Sequence, residues 1–198
     1  MRVLVVYCHP VPDSFCAAVR DAAMEAISAR GSEARLIDLY AERFEPVMPA
    51  EERRAYNERP PADPALEAHI AQLQWAEAIL FVYPTWWYGL PAMLKGWFDR
   101  VWAKDVAFAL AESGGITPLM THIGRIGIVT TCGAPRWWSW LVGQPGRKTI
   151  FRGIRALCAR RCRTMFVAHY QMDVSTTESR TAFLDEVRRK VARFSGAA

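Results

Sequence analysis

Five short strand-like runs separated by helical patterns constrain this chain more than any other feature. They are Val3 to Tyr7, Ala34 to Leu39, Ala78 to Tyr83, Ile126 to Thr131 and Thr164 to Ala168, the last able to run on to Tyr170. Val3 to Tyr7 is apolar without a break, as a strand buried on both faces must be. Strands of that kind need cover above and below. Alternation with helices supplies it, and argues for a parallel sheet with helices on both faces and right-handed crossovers.

The helical segments carry their own punctuation. Ser14 to Arg30 repeats apolar residues on one face, with Ser14 as N-cap and Gly31 as the stop. Ala65 to Gln74 and Pro91 to Trp102 follow, the latter beginning with proline in its first turn. Thr149 to Leu157 reads as a basic helix and Thr177 to Phe194 as the closing one. The expected fold is α/β: a flavodoxin-like doubly wound five-stranded parallel sheet in the order 2-1-3-4-5. Residues 1–198 read as one domain. An irregular excursion at about 40–64 holds a possible short helix at Glu51 to Asn57. Long loops are expected at about 103–124 and 132–147.

Composition narrows the class. Apolar residues make up 52% of the 198, which excludes a disordered chain. No apolar run is long enough to span a membrane. The first apolar run is too short for a signal peptide, so a cytoplasmic protein is expected. Cys8, Cys16, Cys132, Cys158 and Cys162 form no C-x-x-C pair, and free thiols are the favoured reading. Cys158 and Cys162 could share a helix face, but no histidine stands near them, and no metal is expected. Net charge is +5, with seven basic residues between Arg147 and Arg163. A solvated surface accounts for these better than nucleic acid does, because no nucleic-acid-binding motif accompanies them. One or two of the arginines could instead meet a phosphorylated ligand.

A sheet of this type gathers its functional loops at the carboxyl ends of strands 1, 3 and 4. The first loop, Cys8 to Cys16, ends at a helix N-terminus, where unpaired amides suit a phosphate beside His9 and Ser14. It lacks the G-x-G-x-x-G and P-loop patterns, so Ser14 as a simple cap remains the alternative. The second loop sets Trp86, Trp87 and Tyr88 between Pro84 and Gly89. Three rings there suit a planar partner, with the Thr85 to Tyr88 amides facing its polar edge; burial in the core or a subunit interface is the alternative. In the third loop Thr131 can offer a hydroxyl and an amide to a polar ring edge, Gly133 allows close backbone approach, and Trp137, Trp138 and Trp140 can wall a pocket or lie buried under the following helix.

These residues resemble the NAD(P)H:quinone oxidoreductase (DT-diaphorase) family of flavodoxin-like NAD(P)H dehydrogenases. The run Pro84 to Val101 matches the family pattern P-x-x-W-[FY]-G-x-P-A-x-L-K-G-W-x-[DE]-R-V. His9, Ser14 and Phe15 match H-x(4)-S-F, and Asp38, Leu39 and Tyr40 match D-L-Y. Thr130 and Thr131 open a T-T-G-G in which Cys132 replaces the first glycine. The resemblance fades after about residue 145.

The resemblance implies a non-covalent flavin, FAD or FMN, with NAD(P)H as co-substrate. The phosphate would lie by His9, Ser14, Phe15 and Cys16. The ring would lie on Pro84, Thr85, Trp86 and Trp87, with its far edge at Thr130, Thr131 and Gly133. It also implies a homodimer and ping-pong transfer to a quinone-like acceptor packed beside Trp87, Tyr88 and Trp138. Efficient quinone reducers in the family carry a tyrosine and, six residues on, a histidine; Trp138 and Gln144 stand here instead. Arg136, Trp138 and Gln144 are the candidate catalytic residues at the flavin O2 edge. An alternative is a regulatory flavoprotein subunit of a membrane transporter. A flavodoxin-type electron carrier fits poorly, because such carriers are acidic and this chain is basic.

Overall fold

The computed structural model describes residues 1–57, 63–111 and 114–196. In chain order the elements are β1 (Arg2–Tyr7), α1 (Phe15–Ser28), β2 (Glu33–Asp38), α2 (Ala50–Ala55), α3 (Pro64–Trp75), β3 (Ala78–Pro84), α4 (Ala92–Val101), β4 (Phe108–Leu110), β5 (Ile116–Pro118), β6 (Arg125–Thr131), α5 (Arg136–Leu141), α6 (Pro145–Lys148), β7 (Arg163–His169) and α7 (Thr177–Ser195). Five strands pair in the order β2-β1-β3-β6-β7, all parallel. Numbered within this sheet alone, that is 2-1-3-4-5.

Side chains alternate across the sheet, as the pleat requires. Val3, Val5, Tyr7, Leu80 and Val82 face α1 and α7, while Leu4, Val6, Ile79, Phe81 and Ile128 face α3 and α4. Helix α1 starts where the sequence indicates: the Ser14 hydroxyl accepts the Ala17 amide at 3.2 Å. Gly31, at a φ of 70°, turns the chain toward β2. Among the described residues no helix is long and apolar enough to cross a membrane.

Three segments differ from the sequence expectation. The stretch 103–124, expected as loop, contains an antiparallel hairpin of β4 and β5, Phe108 opposite Pro118. Three residues per strand leave no periodicity to detect, and residues 112–113 lie outside the described residues. The tryptophan-rich loop 132–147 contains helix α5 and the short turn α6. The basic segment 149–157 is a π-helical turn, Thr149–Gly153, followed by a 3-10 turn, Ile154–Leu157. Gly153 and the β-branched Thr149, Ile150 and Ile154 favour an α-helix weakly. Cys158 and Cys162 therefore share no helix face; a turn joins them, with the Cys162 amide donating to Ala159 O at 2.8 Å.

The polar excursion at 40–64, of which residues 58–62 lie outside the described residues, is held by ionic and steric contacts beside one buried aromatic anchor, Phe44. The Arg100 side chain on α4 is 5% exposed. It donates to Glu52 Oε2 at 2.7 Å, Asp63 Oδ2 at 3.2 Å and Glu45 O at 2.6 Å. One turn earlier on α4, a Cβ on Gly96 would stand 2.3 Å from Pro46 O, so only glycine lets the excursion lie against the helix. Trp97 Nε1 donates to His69 Nδ1 at 2.9 Å, which places the His69 proton on Nε2, 3.0 Å from Glu42 Oε2. Glu42 Oε1 accepts the Asp38 amide. Gly96, Trp97 and Arg100 of the family-like pattern thus fasten the excursion to α4.

Removing one partner of a buried ionic set leaves the others uncompensated. Arg100→Ala is expected to lower unfolding free energy by about 3 kcal/mol. A urea denaturation curve with an unchanged midpoint would contradict this account.

Candidate functional site

The register of the central ladder brings the second and third loops together. Tyr83 pairs with Thr130 and Pro84 with Thr131. One residue on, the Thr85 amide donates to Thr131 O at 2.7 Å, and the Thr85 and Thr130 hydroxyls stand 2.8 Å apart. The Thr85 amide, expected to face a ligand, is therefore occupied. The amides of Trp87 and Tyr88 have no acceptor among the described residues, whereas Trp86 and Gly89 face each other in an isolated antiparallel bridge.

That turn is strained. Trp87 and Tyr88 have φ of 48° and 60°, left-handed at two consecutive aromatic residues. The Gly89 amide closes the turn on Trp86 O at 2.9 Å, in the manner of a type I′ turn. Each left-handed non-glycine residue costs roughly 1–2 kcal/mol, and such strain persists only where surroundings enforce it. The third loop enforces it here. Trp138 Nε1 donates to Tyr88 OH at 2.8 Å, the Gly146 amide reaches Tyr88 O at 3.4 Å, and a Cβ on Gly146 would come within 3.1 Å of Gly89 C. Trp138 has no other polar group, so it holds Tyr88 rather than presenting a donor of its own. Trp87 is 94% exposed.

The first loop meets this pair. The His9 and Trp86 rings lie 6.3 Å apart. His9 Nδ1 stands 3.1 Å from the Val11 amide and 3.2 Å from the Val11 carbonyl, so it serves one or the other according to the ring's tautomer, and Nε2 has no partner among the described residues. At the start of α1 the amides of Phe15 and Cys16 have no acceptor among the described residues. Their side chains turn inward. The Phe15 ring packs against His169 at 5.7 Å and Phe183 at 6.1 Å. Cys16 is buried, and burial pushes its thiol pKa up to about 12, as it does for Cys8. Phe15 and Cys16 can thus serve an anion through backbone N–H groups alone.

Between the second and third loops lies a cleft of about 200 Å³ lined by Thr85, Trp87, Tyr88, Cys132, Gly133 and Ala134. The amides of Gly133 and Ala134 have no acceptor among the described residues, whereas the Cys132 amide donates to His169 O. The Asp173 carboxylate lies over Gly133, where a Cβ would stand 2.6 Å from Oδ2. Outside α5 an open groove of about 840 Å³ runs past Arg136, Trp137, Trp140, Arg147 and Glu186.

Gln144 lies behind the cleft rather than at its mouth. Its Nε2 donates to Tyr170 OH at 3.0 Å, and its Oε1 accepts from Arg147 Nη1 at 2.9 Å. Arg136 is exposed at the start of α5. Tyr170, Ser139 and Asp173, which the sequence does not single out, stand beside these loops, as does Arg147 of the basic stretch. Tyr170 and Asp173 follow β7, whose carboxyl end joins the same sheet edge; topology alone pointed to that loop.

A family described as having a flavodoxin-like fold matches residues 1–192. The NAD(P)H dehydrogenase (quinone) 1 of Cavia porcellus is 32% identical over 146 residues, covering 65% of this chain and 53% of the relative. The chain spans about half the length of the curated relatives it matches. The crystal structure of Smu.1420 from Streptococcus mutans UA159 has a TM-score of 0.81 at 26% identity, covering 98% of this chain and 100% of that one. The NAD(P)H:quinone oxidoreductase of Methanothermobacter marburgensis has a TM-score of 0.84 at 23% identity, covering 97% and 98%.

Two outcomes test the first loop. Ser14→Ala is expected to destabilise the protein by about 1 kcal/mol, read as a lower thermal midpoint, because α1 loses its cap. Cys8 and Cys16, buried and with pKa near 12, are expected to resist iodoacetamide in mildly alkaline buffer until the protein unfolds. Rapid alkylation of either in the native state would show that the loop opens.

Proposed function

We propose a function from one premise: this chain belongs to the flavodoxin-like fold family. Within that fold it acts as a flavin-dependent NAD(P)H oxidoreductase on quinone-like acceptors. The observation that carries this reading is a set of unpaired amides on the three loops at one end of the sheet: Phe15 and Cys16 at a helix N-terminus, Trp87 and Tyr88 on a strained turn, Gly133 and Ala134 across the cleft from that turn. A phosphate suits the first group and a flat ring with polar edges suits the other two. The names of the Cavia porcellus and Methanothermobacter marburgensis proteins support the same reading.

The residues present fit a flavin, FMN or FAD. The Phe15 and Cys16 amides and the His9 ring would hold its phosphate. The Trp86 to Tyr88 turn would carry one side of the ring, with Gly133 and Ala134 at its edge. Thr131, a buried neighbour, shapes the cleft through its carbonyl bond to Thr85. When bound, the flavin supplies hydride acceptance from NAD(P)H and two-electron delivery to the second substrate. The protein orients both substrates and excludes water. Trp87 and Tyr88 would flank the stacked acceptor, and Arg136 would offset negative charge near the ring.

The reading extends to assembly and location. Trp87, Trp137, Trp140 and Leu141 are exposed around the cleft, at 94%, 65%, 75% and 62%. An apolar surface of that kind suits a second copy of the chain, and a homodimer is proposed. Five free, buried cysteines support a reducing, cytoplasmic setting.

Purified protein is expected to be yellow, or to become so on adding FMN or FAD, with a rise in thermal midpoint. Mass spectrometry of the released chromophore identifies the cofactor. Initial rates with NAD(P)H and a soluble quinone are expected to give the parallel double-reciprocal lines of a ping-pong enzyme. Protein that stays colourless and unstabilised in excess flavin would overturn the proposal.

A further inference from the structure

Behind the cleft, Tyr83, Thr85, Tyr88, Thr130, Ser139 and Tyr170 line a second, smaller space of about 20 Å³, with Cys132, Gln144, Arg147 and Phe166 also in its wall. A space of that size holds one water, and its wall is rich in hydroxyls. Thr85, Tyr88 and Cys132 also line the cleft, so they form the partition between the two spaces.

The direction of each hydrogen bond at Tyr170 follows from donor chemistry. Arg147 can only donate, so the Gln144 atom it reaches is the amide oxygen. The Gln144 amide nitrogen then faces Tyr170, and it too can only donate. Tyr170 OH is therefore the acceptor, and its own hydrogen remains available. The assembly is held on every side. Gln144 is left-handed at φ 49°, with its amide on Ser139 O and its carbonyl on the Lys148 amide. Arg147 lies over the Phe166 ring at 4.8 Å.

We infer that Tyr170 is a positioning residue for proton delivery: its hydroxyl hydrogen, aimed by Gln144 and Arg147, reaches the cleft through one water in the small cavity and the Thr85 hydroxyl. This rests on the proposed oxidoreductase function. Reducing a quinone to a hydroquinone takes one hydride and one proton. The hydride derives from NAD(P)H, which leaves as NAD(P)⁺, and the proton comes from solvent. Tyr170 passes its proton to the water as Thr85 passes one onward, and regains one from bulk solvent. Burial raises the Tyr170 pKa against the lowering effect of Arg136 and Arg147, while the neighbouring Cys132 thiol adds to the rise. The phenol thus stays protonated at neutral pH. Trp138, with its single N–H on Tyr88, has no proton of this kind to give.

Tyr170→Phe removes one oxygen and keeps the ring. In the flavin-loaded protein it is expected to slow reoxidation by a soluble quinone by about tenfold or more. Reduction by NAD(P)H and flavin affinity are expected to stay as in the parent, and the pH profile of reoxidation should lose its dependence on the phenol. Gln144→Glu turns the partner of Tyr170 into an acceptor for its hydrogen, and is expected to cause the same loss, with the double variant no slower than either. A crystal structure of the protein, with or without flavin, should show one ordered water touching Tyr170 OH and Thr85 Oγ1. A dry cavity, or parent rates and pH profile in Tyr170→Phe, would overturn the inference. Failure to bind flavin at all would instead sink the function on which it rests, and the water would still be open to view.

Discussion

The β3–β6 ladder is the constraint on which the site depends. Its register places Pro84 opposite Thr131, so the next amide, Thr85, has one available carbonyl to meet. A slip by one residue would turn every side chain of β3 to the opposite face and carry the aromatic turn away from the third loop. Burial on both faces forbids such a slip, because Leu80 and Val82 serve one core while Ile79 and Phe81 serve the other. Site geometry is therefore a by-product of core packing.

The same packing sustains the strain in the Trp87–Tyr88 turn. Two consecutive left-handed aromatic residues would relax in isolation. Trp138, Gly146 and the closing bond to Trp86 keep them in place. The turn thereby leaves the Trp87 and Tyr88 amides without a local acceptor while Trp86 and Gly89 close it. Pre-set amides of this kind have their orientation fixed by the fold before a ligand arrives.

The sequence made the strands legible because parallel strands buried on both faces are apolar with little interruption. Ser14 and Gly31 marked the limits of α1 by local chemistry alone. Tyr170, Gln144 and Arg147 were not legible as a unit. Their contacts join residues 26 and 3 positions apart, through a glutamine whose left-handed backbone no periodicity announces. Trp138 was legible as a site residue by resemblance, but its role depends on a bond to Tyr88, fifty residues away. The excursion at 40–64 shows little apolar pattern because Arg100 and its carboxylates fasten it together with Phe44, an isolated buried aromatic. Residues 149–157 are helical, as their pattern suggests, but a π turn and a 3-10 turn stand in place of an α-helix.

Strand β7 is the outer strand of the sheet beyond β6, and one side of its backbone lacks a strand neighbour. It opens with the exposed residues Arg163 and Thr164, just after Arg160 and Arg161, also exposed. Two such margins brought together would set like charges against each other at close range. The cationic stretch that at first suggests a nucleic-acid partner thus guards the sheet from endless edge-on stacking, a common route by which open β structure aggregates.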